Sequence, residues 1–223
     1  MSGWRPFLAL VGKDLVVERR THQALATMFV FSLLVLVILS FAFELRVGNA
    51  QQVAPGALWV ALAFAAVLGL NRSLAQERED GCLEGLMLAP MERSTIYLAK
   101  AASNLLFLVA TQAIVLPVFS VLLGVDVLRA DLALVLFLGA LGLAAAGTLV
   151  ATMAAQTRAR EVLLPVLLLP LSVPLLIAGA KATAGVLDGG GLAGVSGWLR
   201  LLAGFDVAWA AASYLISATI LEE

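Results

Sequence analysis

The sequence predicts an all-α integral membrane protein with six transmembrane helices, preceded by an amphipathic helix that lies in the membrane interface. Three observations predict this fold class. Of the 223 residues, 62% are hydrophobic and 13% are charged, whereas globular domains average roughly 45–50% and about 25%. The mean hydropathy is +1.02. Apolar runs without charge recur along the chain, most of them close to the ~20 residues that a membrane-crossing helix needs.

The same composition excludes several classes of function. A net charge of −1 leaves no basic surface for nucleic acid. A single cysteine, Cys82, excludes an internal disulfide, and a single histidine, His22, excludes motifs that need two. The only Gly-Lys pair, Gly12-Lys13, is followed by Asp14 and does not form a phosphate-binding loop. We therefore expect no catalytic residues, no metal site and no directly bound cofactor.

The first element is the segment 1–22, in which Trp4 to Arg20 predict an amphipathic helix. Apolar side chains recur there at helical spacing, and most of the charged ones fall elsewhere. Such a helix places its apolar face among acyl chains and its cations near anionic headgroups. It is either a simple anchor or a lever that moves with the first span.

Six apolar runs then predict the transmembrane helices. The segments on one side of the predicted membrane hold ten of the 14 lysines and arginines, and those on the other side hold four. Because cytoplasmic loops are enriched in Lys and Arg, we expect both termini in the cytoplasm. The predicted spans are Ala24–Phe43, Ala54–Leu70, Ala101–Val125, Leu132–Ala155, Val162–Ala180 and Val207–Leu221.

The longest predicted cytoplasmic segment, residues 71–96, is the main candidate for a functional site, and we call it the docking segment. It begins as a charged helix and continues as a short apolar block. An apolar block in water forms an exposed patch, so it either folds back on the bilayer or the bundle, or docks into another protein. In the docking interpretation, apolar side chains pack against the partner and charged ones set the orientation. The candidate docking residues are Gln76, Glu77, Arg78, Gly81, Leu83, Glu84, Leu86, Met87, Leu88 and Pro90.

Small residues at four-residue spacing predict close helix packing inside the membrane. The second span has Ala61, Ala65 and Gly69, and the fourth has Ala140 and Ala144 with glycines nearby. Ordinary packing between helices of one chain is the simpler interpretation, and a specific dimer contact is the other.

The fifth predicted span contains Pro165, Pro170 and Pro174. Each proline removes a helix hydrogen bond and can kink the helix, so this span has either a static bend or a break that moves. The glycine-rich segment 181–206 then predicts short helices on the periplasmic side. Asp206, just before the last apolar run, is interpreted as the N-cap of the last span.

Two classes of function fit these features. One is the membrane subunit of an ATP-driven complex whose ATPase is a separate chain. The other is a non-energised scaffold or channel. The docking segment favours the first class, because only Asn104, Thr111 and Gln112 approach the polar lining that a channel needs.

Four stretches, in this order, are similar to one known family. The first runs from Lys13-Asp14-Leu15 to Glu18-Arg19 and on to Met28 and Phe41-Ala42-Phe43, and the second from Glu77 to Pro90. The third runs from Leu164-Pro165 to Lys181-Ala182-Thr183, and the fourth from Phe205-Asp206-Val207 to Glu223. Together they resemble the CcmB family, also called haem exporter protein B of cytochrome c maturation.

The resemblance implies a permease-type subunit of an ABC complex in the bacterial inner membrane, similar to ABC-2-type exporters. In such a complex ATP binds a CcmA-type ATPase, and haem is handled together with CcmC- and CcmD-type membrane subunits and the haem chaperone CcmE. A second copy of the chain is expected, because an ABC ATPase shares two ATP sites across a dimer. The alternatives are a permease for another small molecule and a scaffold without energy input.

Overall fold

The structure consists of helices packed side by side. A computed structural model describes residues 4–44, 50–79, 93–155 and 160–219, and the side chains of 4–43, 52–72, 94–154 and 162–213. All regular secondary structure in these residues is helical. The helices are α1 (Trp4–Thr21), α2 (Gln23–Glu44), α3 (Ala50–Glu79), α4 (Arg93–Leu123), α5 (Ala130–Ala155), α6 (Arg160–Leu187), α7 (Gly191–Gly194) and α8 (Ser196–Thr219).

Five helices in the described part of the chain, α2 to α6, are long and apolar enough to cross a membrane. This confirms the prediction of an all-α, multi-pass membrane protein. The sixth predicted span corresponds to α8, which is not among these five. It begins at Ser196 rather than at Val207 and therefore includes the charged residues Arg200 and Asp206.

α8 nevertheless extends along most of the bundle. Val195, just before α8, packs beside Gly185 near the end of α6. Ser213 lies 2.7 Å from the hydroxyl of Tyr97, at the beginning of α4. The first contact is at the end of the bundle opposite α1, and the second is at the end that carries α1. α8 thus runs beside α5 and α6 from one end towards the other.

α3 and α5 form the centre of the bundle. α3 packs against α2, α4, α5 and α6, and α5 packs against α3, α4, α6 and α8. The apolar stretches of α3 and α5 are 72% and 67% buried, compared with 28% for α2 and 33% for α4 and α6. The outer helices therefore present apolar side chains outward, as expected for a protein surrounded by lipid.

The central contacts depend on small residues, as the sequence predicted. The Trp59 ring lies against Gly139 of α5 and Gly179 of α6, where an added Cβ would overlap it. Its Nε1 donates a 2.9 Å hydrogen bond to Oγ1 of Thr183. In the same way, Gly69 accommodates the side chain of Met28. The alanines of the predicted small-residue faces are all buried: Ala61, Ala65, Ala140 and Ala144.

Backbone turns with positive φ separate helices at His22, Gly124 and Gly189. His22 (φ 51°) lies between α1 and α2, and its N–H donates to the carbonyl of Glu18 at 2.7 Å. Gly189 (φ 88°) follows α6. There the N–H of Gly190 donates to Gly185 O at 2.9 Å and that of Gly189 to Val186 O at 3.1 Å, a Schellman motif that ends the helix.

The prediction of short helices throughout 181–206 is wrong for most of that range. Only α7 is a separate short helix, because α6 continues to Leu187 and α8 already begins at Ser196. The prediction that Asp206 is an N-cap is also wrong. Asp206 is the eleventh of the 24 residues of α8, so the backbone N–H groups next to it are already bonded within the helix.

Candidate functional site

The predicted docking residues fall at the edge of the described structure. Gln76, Glu77 and Arg78 belong to the last turns of α3, where the backbone is helical and the side chains are not described. The other docking residues lie between α3 and α4, outside the described residues: Gly81, Leu83, Glu84, Leu86, Met87, Leu88 and Pro90. Docking through this segment stays a prediction.

The helices on either side of this segment are well defined. α3 has 30 residues, about 45 Å at 1.5 Å per residue, whereas the hydrocarbon core of a bilayer is ~30 Å thick. Its apolar part ends at Arg72, so the charged residues 73–79 extend beyond the apolar layer. α3 and α4 also pack against each other, which places both ends of the docking segment on one face of the bundle.

α1 is bound to the beginning of α4 by a buried ion pair. Lys100 Nζ lies 2.8 Å from Oδ1 and 2.7 Å from Oδ2 of Asp14. Both residues are buried, with 6% and 9% of their surfaces exposed. A buried charge needs such a partner, because removing one member leaves the other uncompensated in a medium of low dielectric constant. α1 and α4 are therefore held in a fixed relation at this point.

Glu18 connects α1 to α2. Its carboxylate accepts the backbone N–H groups of Ala24 at 3.3 Å and Leu25 at 2.8 Å. These N–H groups are in the first turn of α2 and have no partner within that helix. A carboxylate at a helix N-terminus is also stabilised by the helix dipole. Glu18 thus acts as a cap supplied by the preceding helix and fixes the bend at His22.

α3 is bound to α2 near the same level. The guanidinium Nη2 of Arg72 donates to Oε1 of Gln23, the first residue of α2. We define the α1 junction as the set of side chains that bind these four helices to one another at this end of the bundle. Its members are Asp14, Glu18, Gln23, Arg72 and Lys100.

A second layer of polar contacts links α4 to the central and last helices. The Tyr97 hydroxyl lies 2.9 Å from Ala145 O and 2.7 Å from Ser213 Oγ. Since a tyrosine has one hydroxyl proton, it can donate to the carbonyl while it accepts from Ser213. Two turns deeper, Asn104 Nδ2 donates to Thr148 Oγ1 at 2.9 Å. The first third of α4 is therefore bound to α1, α5 and α8.

The polar residues considered for a channel lining are used within the bundle. Besides Asn104, Thr111 Oγ1 donates to Phe107 O at 2.8 Å, and Gln112 Nε2 donates to Leu136 O at 3.2 Å. All three residues are buried. Buried polar groups that bond neighbouring helices stabilise packing, so these residues do not favour a water-filled channel.

The three prolines Pro165, Pro170 and Pro174 lie inside α6, which is continuous from Arg160 to Leu187. Pro170 and Pro174 are four residues apart and exposed on the outer surface of the bundle. α6 is therefore not broken at the prolines in this structure. Movement of α6 about these residues stays a prediction.

Two features of the described residues bear on cofactor binding. They contain no cluster of three or more His, Cys, Asp or Glu side chains that could bind a metal ion. A cavity of about 550 Å³ lies between α1, α4 and α5, and its lining is almost entirely apolar. It is lined by Trp4, Phe7, Thr95, Leu98, Ala101, Ala102, Leu105, Leu141, Ala144 and Ala145. That the chain itself binds no cofactor stays a prediction.

The sequence pattern predicts the docking segment, which stays a prediction, but it does not indicate the α1 junction, Tyr97 or Trp59. The sequence pattern assigns no role to Asp14 or Glu18, and it places Lys100 only among the cytoplasmic cations. One signal was available for Lys100, since it lies seven residues inside α4 and only one residue before a charge-free run. A lysine at that depth needs a partner or a route to the surface.

Comparison with known proteins agrees with the resemblance noted in the sequence. The sequence model of the CcmB protein family matches residues 5–222. Heme exporter protein B of Bradyrhizobium diazoefficiens is 31% identical over 185 residues, which are 81% of this chain and 82% of the relative. The protein of the same name from Paracoccus denitrificans is 33% identical over 78% of this chain and 80% of its own length. That of Pseudomonas aeruginosa is 29% identical over 88% of each chain.

Proposed function

Because the chain belongs to the CcmB family, we propose that it is the membrane-spanning subunit of an ATP-driven haem export complex of the bacterial inner membrane. In this proposal a separate CcmA-type ATPase hydrolyses ATP. This chain transmits the resulting movement to the periplasmic side, where haem is delivered or the haem-loaded chaperone CcmE is released. CcmC- and CcmD-type subunits belong to the same complex, and two copies of this chain match the two ATP sites.

The observation that carries the proposal is that both helices flanking residues 80–92 are bonded through side chains to the rest of the bundle. α3 is bound to α2 through Arg72, and α4 is bound to α1 through Lys100. α4 is bound in turn to α5 and α8 through Tyr97. A partner that pulls on the segment between α3 and α4 therefore acts on most of the bundle rather than on a free loop.

The energy for this movement comes from the ATPase, so this chain needs no catalytic residue. It needs only contacts that differ between the nucleotide-bound and nucleotide-free states of its partner, since a partner shifts an equilibrium by its differential affinity for the two states. An apolar block in the docking segment suits this role, because packing in a groove is sensitive to small changes of groove shape.

Co-purification tests the docking step. The double substitution Leu86→Asp and Leu88→Asp places two charges in the apolar block, and we expect it to abolish co-purification of the ATPase from mild detergent. The matched control is Leu86→Met with Leu88→Met, which keeps the apolar character and approximate volume and should retain the ATPase. Both variants should insert in the membrane at the level of the unmodified chain.

Two results would count against the proposal. Retention of the ATPase by the Asp variant would show that the segment does not dock. Absence of any ATPase from the unmodified complex would favour the scaffold alternative. A haem absorption band in the purified chain alone would contradict the prediction that haem is held elsewhere in the complex.

A further inference from the structure

The strongest unexplained feature of the structure is Asp206, a carboxylate near the middle of the helix bundle. It packs against Gly142, the thirteenth of the 26 residues of α5, and near Leu175, the sixteenth of the 28 residues of α6. Both α5 and α6 are long and apolar enough to cross a membrane. Asp206 therefore lies close to the level of the bilayer centre, not at its surface.

Asp206 is enclosed and has no polar partner among the described residues. It is 7% exposed, and neither of its carboxylate oxygens has a hydrogen-bond partner. The Leu175 side chain and the Phe205 ring lie beside Asp206 Oδ1 against Gly142. A Cβ at position 142 would lie 2.5 Å from Asp206 Oδ1, so the carboxyl group occupies the space that the missing side chain leaves on α5.

The described charged and titratable groups of the surrounding helices either have other hydrogen-bond partners or lie far from Asp206 along the bundle. On α4, Lys100 is bonded to Asp14, and Tyr97 is bonded to Ala145 and Ser213. Among the side chains that the structure describes, the remaining ones lie towards the end opposite α1: Asp131 in the first turn of α5, Lys181 on α6 and Arg200 on α8, the last two exposed. None of them forms an ion pair with Asp206.

An ionised carboxylate without a partner is very unfavourable in such surroundings. The group must then be neutral, and the only ligand small enough for this enclosed position is a proton. We propose that Asp206 is a proton-binding site, protonated while α8 packs against α5 at Gly142 and ionised when the two helices separate. Proton release at Asp206 is thereby linked to opening of the α5–α8 contact.

The linkage follows from the two states of the carboxyl group. In the closed contact the neutral form is favoured because water is excluded. If α8 moves away from Gly142, water reaches the group and the ionised form becomes favourable at neutral pH. Deprotonation and helix separation therefore promote each other, since a ligand that binds one state preferentially stabilises that state. This inference does not depend on the proposed docking to an ATPase.

Infrared difference spectroscopy of the full chain in lipid tests the protonation state. The spectrum of the unmodified chain minus that of Asp206→Asn, both at neutral pH, should show the carbonyl band of a protonated carboxyl group and no carboxylate band. The matched control is Asp14→Asn, because Asp14 is equally buried but is paired with Lys100. Its difference spectrum should show a carboxylate band. A carboxylate band for Asp206 at neutral pH would overturn the proposal.

Hydrogen–deuterium exchange tests the link to helix separation. Peptides of α8 around residue 206 should exchange faster in the unmodified chain than in Asp206→Asn at alkaline pH, and at equal rates at acidic pH. Comparing the two chains at the same pH removes the intrinsic effect of pH on exchange. Equal exchange at every pH would show that Asp206 does not control the α5–α8 contact. Because Asn has nearly the shape of a protonated Asp, this variant is expected to fold.

Discussion

At the scale of single residues, the stability of the bundle depends on how each buried charge is compensated. Asp14 and Asp206 have nearly the same exposure, 9% and 7%, but opposite surroundings. Asp14 has the ammonium group of Lys100 within 2.8 Å, so the pair keeps both charges. Asp206 has no partner among the described residues, so its charge has to be removed by a proton. One chain thus shows both solutions to the cost of burying a carboxylate.

Removing the charge of Lys100 should destabilise the protein strongly. In Lys100→Met, Asp14 would lose its buried partner and keep only the more exposed Lys13, whose Nζ lies 3.4 Å from Oδ1. Removing one member of a buried pair costs up to about 3–5 kcal/mol. We expect a lower unfolding temperature in detergent, measured by intrinsic fluorescence. Lys181→Met is the control, because Lys181 is exposed and surface substitutions usually change stability by about 0.5 kcal/mol or less.

The double variant Asp14→Asn with Lys100→Met separates this cause from lost packing. It leaves no uncompensated charge, so it should recover most of the stability that Lys100→Met loses. If the double variant were as unstable as Lys100→Met, the loss would come from packing of the lysine side chain and the role given to the ion pair would be wrong.

At the scale of the helices, close packing depends on glycines, which have no side chain. Trp59 of α3 is 1% exposed and fits between α5 and α6 only because Gly139 and Gly179 have no Cβ. The indole nitrogen is satisfied by Thr183 at 2.9 Å. Since lipid gives helices no hydrophobic drive to associate, van der Waals contact of this kind and hydrogen bonds supply the association energy.

Replacing Gly139 by Ala should therefore disturb the centre of the bundle. The new methyl group would overlap the Trp59 ring, and overpacking of this kind typically costs about 1–3 kcal/mol. Gly56→Ala is the matched control in α3, because nothing lies within 4 Å of a Cβ built there. A helical Gly→Ala change at an open position is favourable by about 0.5–1 kcal/mol. The two variants should shift the unfolding temperature in opposite directions, and equal shifts would contradict the packing role of Gly139.

Most of the helices, but not their ends, could be predicted from the sequence. Composition and apolar runs were sufficient for α2 to α6, because a lipid environment requires continuous apolar segments. The same criterion failed for α8. The apolar run begins only after Asp206, so this criterion places the start of the helix there and the charged Asp206 at the membrane surface. The carboxylate is instead accommodated at Gly142, a contact between residues 64 positions apart that no local pattern indicates.

The candidate site could be predicted only in its local features. The docking segment stood out because apolar residues between charged ones form a pattern within a few residues. The α1 junction depends on pairs such as Asp14 and Lys100, 86 residues apart, and Glu18 gives no signal without the position of α2. Such pairs form only when the helices have assembled, so their partners cannot be identified from one sequence.

At the scale of the whole molecule, the number of membrane crossings decides on which side the C-terminus lies. α2 to α6 are long and apolar enough for five crossings. α8 runs beside α5 and α6 from the end opposite α1 towards Tyr97 at the α1 end. Its described part carries Arg200 and Asp206, and a charged side chain at the centre of a helix costs about 2.5–3.5 kcal/mol for insertion. That cost is avoided for Asp206 if the group is neutral and shielded by α5, so we expect α8 to cross.

Reporter fusions test this expectation directly. In the six-span topology, ten of the 14 lysines and arginines are expected on the side of α1, which predicts that α1 is cytoplasmic. Alkaline phosphatase, which is active only outside the cytoplasm, should be active when fused after Gly190, between α6 and α7. It should be inactive when fused after Glu223, where a fluorescent-protein fusion should be bright. An active phosphatase at Glu223 together with an active one at Gly190 would mean that α8 does not cross. Asp206 would then lie on the periplasmic side of a five-span protein, where water would reach it and stabilise the ionised carboxylate, so no bound proton would be required.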